Sequence, residues 1–256
     1  MARNISTLQA STSAYQERSQ ASRLTSSWSE KTATAYQTIA TRVQAAATAL
    51  SAKEKAINGN ANLSPTGQFD AVKQEVVAFL AGLKWLQAEK GGLETKVGGL
   101  FGDLFILPDS KLNEIVQALR DAQSWSAIGA LQPSERDLAY LRFCAVDNTE
   151  VIRALQNAPM PLISDDILLR GSADRAARLD PQRYQTFIET GQLLDEVSAI
   201  LTDCLDLGQA FGFEAVPVVD ALGEKVRTAL DFSTDHPNND TGTRERKSQR
   251  EAVAAA

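Results

Sequence analysis

PSERDLAYLRFCAVDNTEVIRALQNAPMPLISDDILLRGSADRAARLDP, residues 133–181, is a succession of helix starts and stops. Ser134 is placed to cap a helix, with Asp137 three residues on to complete a capping box. Leu138, Leu141 and Ala145 then share one helical face, widened by Tyr140 and Phe143. Asp147 or Asn148 caps a short second helix carrying Val151, Ile152 and Leu155. Pro159 and Pro161 forbid its continuation, because proline has no N–H to donate and constrains the residue before it. Ser164 starts a third helix, and Asp165 and Asp166 in its first turn suit the positive end of the helix dipole. Gly171 is positioned to stop it. Asp180 followed by Pro181 opens a fourth, with proline at the first helical position. Helices this short are unstable alone and must pack against longer ones.

The longer partners lie on both sides. Upstream, Tyr36, Ile39, Val43 and Leu50, filled in by Ala46 and Ala47, recur at three, four and seven residues and make a narrow seam. Asn58-Gly59-Asn60 is a turn signal. Ser64-Pro65 opens what reads as the longest helix, with Phe69, Val72, Val76, Phe79, Leu80, Leu83 and Leu86 as its stripe. Together the two predict an αα-hairpin. Gly91-Gly92 weakens or ends the second helix, since an interior glycine costs about 1 kcal/mol relative to alanine. Leu112, Ile115, Val116 and Leu119 predict a further amphipathic helix over 111–123. Downstream, Tyr184, Phe187, Ile188, Leu194, Val197, Leu201 and Leu205 keep helical spacing until Gly208 and Gly212 loosen it. Val218, Leu222, Val226 and Leu230 form a last helix.

No strand alternation emerges, so the expected fold is all-α. It is an elongated bundle built from an N-terminal αα-hairpin and short helices packed on longer ones. The expected divisions are a flexible segment over 1–27, the hairpin over 28–107, the bundle over 108–232 and a disordered tail over 233–256. The first is rich in Ser, Thr, Ala and Gln and thin in apolar residues; the last holds Pro237, Gly242 and a terminal alanine run.

Composition narrows function. The chain has 256 residues, a net charge of −6 and only 6% aromatic residues. An acidic balance disfavours wholesale coating of nucleic acid or an anionic membrane, though neither partner is excluded. Cys144 and Cys204 are the only cysteines and form no metal or redox motif; two buried thiols are expected. The start lacks a secretory apolar region, and no segment approaches the roughly 20 apolar residues that span a bilayer. A reducing cytoplasm is the expected place of synthesis. Val97–Leu107, VGGLFGDLFIL, contains a GxxxG spacing at Gly98 and Gly102. It is too short for a membrane dimerisation motif and reads as a bent connection buried against other helices.

His236 is the only histidine, which leaves little for histidine-based catalysis or zinc binding. Phosphate loops, dinucleotide fingerprints and nucleophile elbows are not present in the sequence. Asp165/Asp166, Asp203/Asp206 and Glu94/Asp103 are the paired carboxylates, each read as structural. No catalytic, metal or cofactor-binding residue is therefore expected. The candidate partner-binding residues are basic. Arg170, Arg175, Arg178 and Arg183 could present guanidinium forks to phosphate or carboxylate, but they interleave with Asp166, Asp174, Asp180 and Glu189, which favours an internal or intersubunit ion-pair network over nucleic-acid contact. Arg244, Arg246, Lys247 and Arg250 form a basic hook or a solvated end.

Four segments, LSPTG at 63–67, PSERDLAYL at 133–141, ALQNAPMPL at 154–162 and RAARLDPQ at 175–182, carry a resemblance. In this order they resemble a group of helical proteins encoded among the head and tail genes of tailed bacteriophages, over about residues 63–208. The resemblance transfers no catalytic residue. It implies a virion-associated or assembly role, with a homo-oligomer or other virion proteins as partners and the virion as location. An internal protein ejected to engage membrane or DNA, and a scaffold recruiting coat subunits, are the alternatives; an enzyme ranks last. The Val97–Leu107 run lies outside the shared pattern.

Overall fold

The computed structural model describes residues 2–20, 28–108, 110, 112–213, 222 and 224–234, and among these every regular element is an α-helix. In chain order they are α1 (Ala2–Gln20), α2 (Glu30–Asn58), α3 (Pro65–Ala81), α4 (Lys84–Phe105) and α5 (Glu114–Gly129). After these come α6 (Pro133–Ala145), α7 (Thr149–Gln156), α8 (Asp165–Leu179), α9 (Pro181–Ala210) and α10 (Glu224–Thr234). The chain divides into two compact units. The first combines residues 1–95 with 189–221, and the second combines 96–188 with 222–256. Two of the three boundaries fall inside α4 and inside α9, the third lies between residues 221 and 222, and none coincides with the expected division near residue 108.

The first unit is a packing of long helices. Ser29 caps α2, its hydroxyl accepting from the Thr32 amide. The sequence seam is its buried face, with Tyr36, Ile39, Ala40, Val43, Ala47 and Leu50 closed to solvent. Ser64 caps α3 through the Gly67 amide at 3.1 Å, with Pro65 at the first helical position. Leu86, Leu193, Val197 and Leu201 complete the core, and Phe69 stacks on Phe211 at 6.2 Å. Burying each such aliphatic side chain contributes about 1.5–3 kcal/mol relative to exposure.

Several expectations change here. Residues 2–20, placed by composition in a flexible segment, form α1 packed on α2, with Ile5, Leu8 and Tyr15 buried. Those apolar residues recur at three and seven, a spacing that the surrounding Ser and Thr obscure. The helix opened by Pro65 ends at Ala81 rather than running past Leu86, and α4 starts separately after Gly82. At 30 residues α9 is longer than either. Gly91 and Gly92 do not end α4, which continues through Gly98 and Gly102 to Phe105. The Val97–Leu107 run is therefore mostly helix, with Val97, Leu104, Phe105 and Leu107 buried and Phe105 against Phe187 at 5.3 Å. Among the described residues no helix is long and apolar enough to cross a membrane.

The second unit is built from short helices around Tyr140, Cys144, Ile152, Leu155 and Ile163. The cap of α6 is Gln132, not Ser134: Pro133 takes the first helical position, and the Glu135 carboxylate accepts from the Gln132 amide at 3.1 Å. The buried face of α6 is centred on Tyr140 and Cys144, while Leu138 is 56% exposed. Gly171 explains both this and a second departure. It lies within α8 instead of stopping it, and a methyl group there would sit 2.7 Å from Tyr140 Cε1 and 2.9 Å from Cys144 Sγ. Glycine at 171 serves close approach of α8 to α6. Asn148 caps α7 as expected, accepting from the Val151 amide, and α8 and α9 start after Ser164 and Asp180. Gly208 likewise stays helical, its missing Cβ leaving room for Leu80, and the chain turns at Gly212 with φ +77°. Of the last predicted helix, Val226 and Leu230 lie in α10, Leu222 precedes it, and Val218 is outside the described residues.

Candidate functional site

Three features are built from side chains that the sequence places at set intervals. The first is a row of carboxylates on α9 at seven-residue spacing: Glu189, Glu196 and Asp203. Each accepts hydrogen bonds from the first unit's N-terminal helices or the segment preceding them. Glu189 takes the Ser29 and Thr32 hydroxyls at 2.6 and 2.9 Å, which also sets its charge at the positive end of α2. Glu196 accepts from the Tyr36 phenol at 3.0 Å, with Arg18 Nη2 3.6 Å away. Asp203 accepts from the Tyr15 phenol at 2.9 Å. Between these rungs the Trp28 indole donates to Gln192, and Arg18 lies over the Tyr15 ring at 4.5 Å. Burial raises the Asp203 carboxyl above the ordinary carboxylate range, and the Tyr15 bond opposes that shift. Burial and nearby carboxylates also push both phenols up, so Tyr15 and Tyr36 remain donors. A buried charge without partners would be strongly unfavourable, and these hydroxyls fix the register of α9 against α1 and α2. Of the paired carboxylates singled out in the sequence, Asp203 belongs to this row, Glu94 pairs with Lys90, and Asp165 and Asp166 are exposed first-turn residues.

The second feature is the outward face of α5. The sequence pattern predicts Leu112, Ile115, Val116 and Leu119 as its packing face. Leu112 is half-buried, but Ile115 is 72% exposed, Val116 42% and Leu119 61%. The helix is turned instead by two polar anchors and one apolar one. The Trp125 indole donates to the Ala154 carbonyl at 2.7 Å, and Gln117 accepts from Arg153 while donating to Asp121. Ile128 enters the core. Periodicity registers apolar side chains only, so it selected the face these anchors leave outside.

The third feature is the arginines. Arg175 Nε donates to Asp147 Oδ1 at 2.6 Å, with Asp147 held at φ 55°. Arg178 caps α6 through the Cys144 carbonyl at 2.7 Å. Arg183, half-exposed, is 3.7 Å from both Asp103 and Asp180, and Arg170 is exposed. Arg175 also lines a cavity of about 390 Å³ in the second unit, together with Arg120, Arg153, Thr149, Ser110 and Leu112. Sequence reading passed over Arg120 and Arg153. Arg153 had a visible signal, a lone cation inside the apolar run Val151–Leu155. Arg244, Arg246, Lys247, Arg250 and His236 lie outside the described residues.

Among the described residues no cluster of His, Cys, Asp and Glu is arranged to hold a metal ion. Both cysteines are free and buried, and burial pushes the Cys144 thiol up to about 11 and Cys204 up to about 12. Comparison with protein-family models, curated proteins and solved structures gives no match.

Proposed function

We propose that this protein is a non-enzymatic structural or assembly component of a tailed-bacteriophage particle. It acts by laying helical faces against copies of itself or other virion proteins, after synthesis in the host cytoplasm. The observation that carries this reading is the outer face of α5, where Ile115, Val116 and Leu119 occupy adjacent helical positions in solvent while the helix is anchored by polar bonds. Adjacent exposed apolar side chains on a rigid helix favour burial against another protein surface. The order of the four motifs from Leu63 to Gln182 supports the particle assignment. Size-exclusion chromatography with light scattering tests the reading, and association that disappears in Ile115→Asp/Leu119→Asp is the expected result. A strictly monomeric wild type that also fails to join any virion protein would overturn it.

A further inference from the structure

The arginine-lined cavity of the second unit has a chemistry that particle assembly does not require. Its walls come from three places: Leu107, Pro108, Ser110 and Leu112 with Arg120 of α5, the first half of α7 through Thr149, Glu150 and Arg153, and Arg175 of α8. Arg153 is only 8% exposed. Its guanidinium donates to the Pro108 carbonyl, Gln117 Oε1 and Glu150 Oε2. A guanidinium has five N–H groups, so these bonds fix its orientation and leave capacity unused. Arg175 commits its Nε to Asp147 and keeps its two terminal nitrogens. Arg120 takes no side-chain hydrogen bond or ion pair from the described residues. Glu150 and Asp147 offset two of the three positive charges, so the described groups leave a surplus cation at a concave site in an otherwise acidic protein.

We propose that this cavity binds a tetrahedral dianion, inorganic phosphate or the phosphate of a small phosphomonoester. Arg153 would be the pre-oriented buried donor, Arg120 the mobile closing cation, and the Thr149 hydroxyl a neutral donor. Planar forks converging from separate elements suit the several oxygens of phosphate better than the two of a carboxylate. The site is independent of the particle assignment.

Calorimetric titration of the full chain with inorganic phosphate, a nucleoside monophosphate and acetate tests this. Millimolar or tighter binding of phosphate, with acetate silent, is expected. Tighter binding of the nucleotide than of phosphate would identify a phosphomonoester as the ligand, and equal binding would identify the bare dianion. Arg120→Ala, at an exposed position with no partner to lose, should weaken phosphate binding about tenfold, the value of one charge-assisted contact. Arg170→Ala, exposed and outside the cavity lining, should leave it unchanged. Absence of phosphate binding, or equal affinity in Arg120→Ala, would overturn the proposal.

Discussion

Tyr36, Val43 and Leu50 on α2 are closed off from solvent, whereas Ile115, Val116 and Leu119 on α5 stand in it. Among the described residues, Val77 is the only large exposed hydrophobic residue of the first unit; the second has Ile106, Leu138, Val146, Met160 and Leu179 besides those of α5. The difference lies in what orients the helices. In the first unit apolar seams and buried carboxylates agree, since the Glu189–Glu196–Asp203 row lies along the helix that also carries Leu193, Val197 and Leu201. In the second, short helices are held by side chains reaching backbone carbonyls, as Trp125, Arg153 and Arg178 do. Such anchors can turn an apolar stripe outward.

The largest test of this contrast is truncation. Leu194→Ala removes a fully buried side chain and should lower stability by about 2–5 kcal/mol, while Leu119→Ala should stay within about 0.5 kcal/mol. Denaturant titration measures both, and comparable losses would erase the distinction. Next comes the carboxylate row. Tyr36→Phe removes the phenol that Glu196 accepts from and should destabilise by about 1–3 kcal/mol, a buried carboxylate having lost one of its donors while keeping Arg18 nearby.

Glycines sharpen the comparison further. Gly171→Ala drives a methyl group into Tyr140 and Cys144 and should cost about 1–3 kcal/mol. Gly99→Ala meets no atom within 4 Å and should instead stabilise α4 by about 0.5–1 kcal/mol. Thermal melts of the two variants should therefore move in opposite directions, and a shared direction would break the assignment of Gly171 to close approach.

This pair also shows how much was legible in the sequence. Helix class, the α2 seam and the starts at Pro65, Asn148, Ser164 and Pro181 follow from local chemistry, because caps and prolines act within a turn of themselves. Gly171 and Gly91 look alike to a local rule. Their roles differ only through Tyr140 and Cys144, which lie far away in the chain. Candidate binding residues divide the same way: Arg175 was picked from a local cluster, but its cavity partners Arg120 and Arg153 come from other helices. The seven-residue spacing of Glu189, Glu196 and Asp203 was present to be read, and only their hydroxyl partners were not.

The smallest effect is one of pH. Burial holds the Asp203 carboxyl above its ordinary value, so the folded chain keeps that proton longer than the unfolded one. Its contribution is complete below the ordinary carboxylate range and is lost as pH rises through the raised value. Asp203→Asn, which can still accept from Tyr15, should be more stable than the parent at neutral pH, with the gap closing in acid. A gap that widens in acid would reverse the sign and the cause.

The claim that function resides in the outward face of α5 is tested most directly by the mass in solution of the full chain beside Ile115→Asp/Leu119→Asp. The account predicts a concentration-dependent oligomer for the parent and a folded monomer for the variant, whose melting temperature matches the parent's at dilutions where the parent is dissociated. Equal masses for the two at every concentration would contradict it.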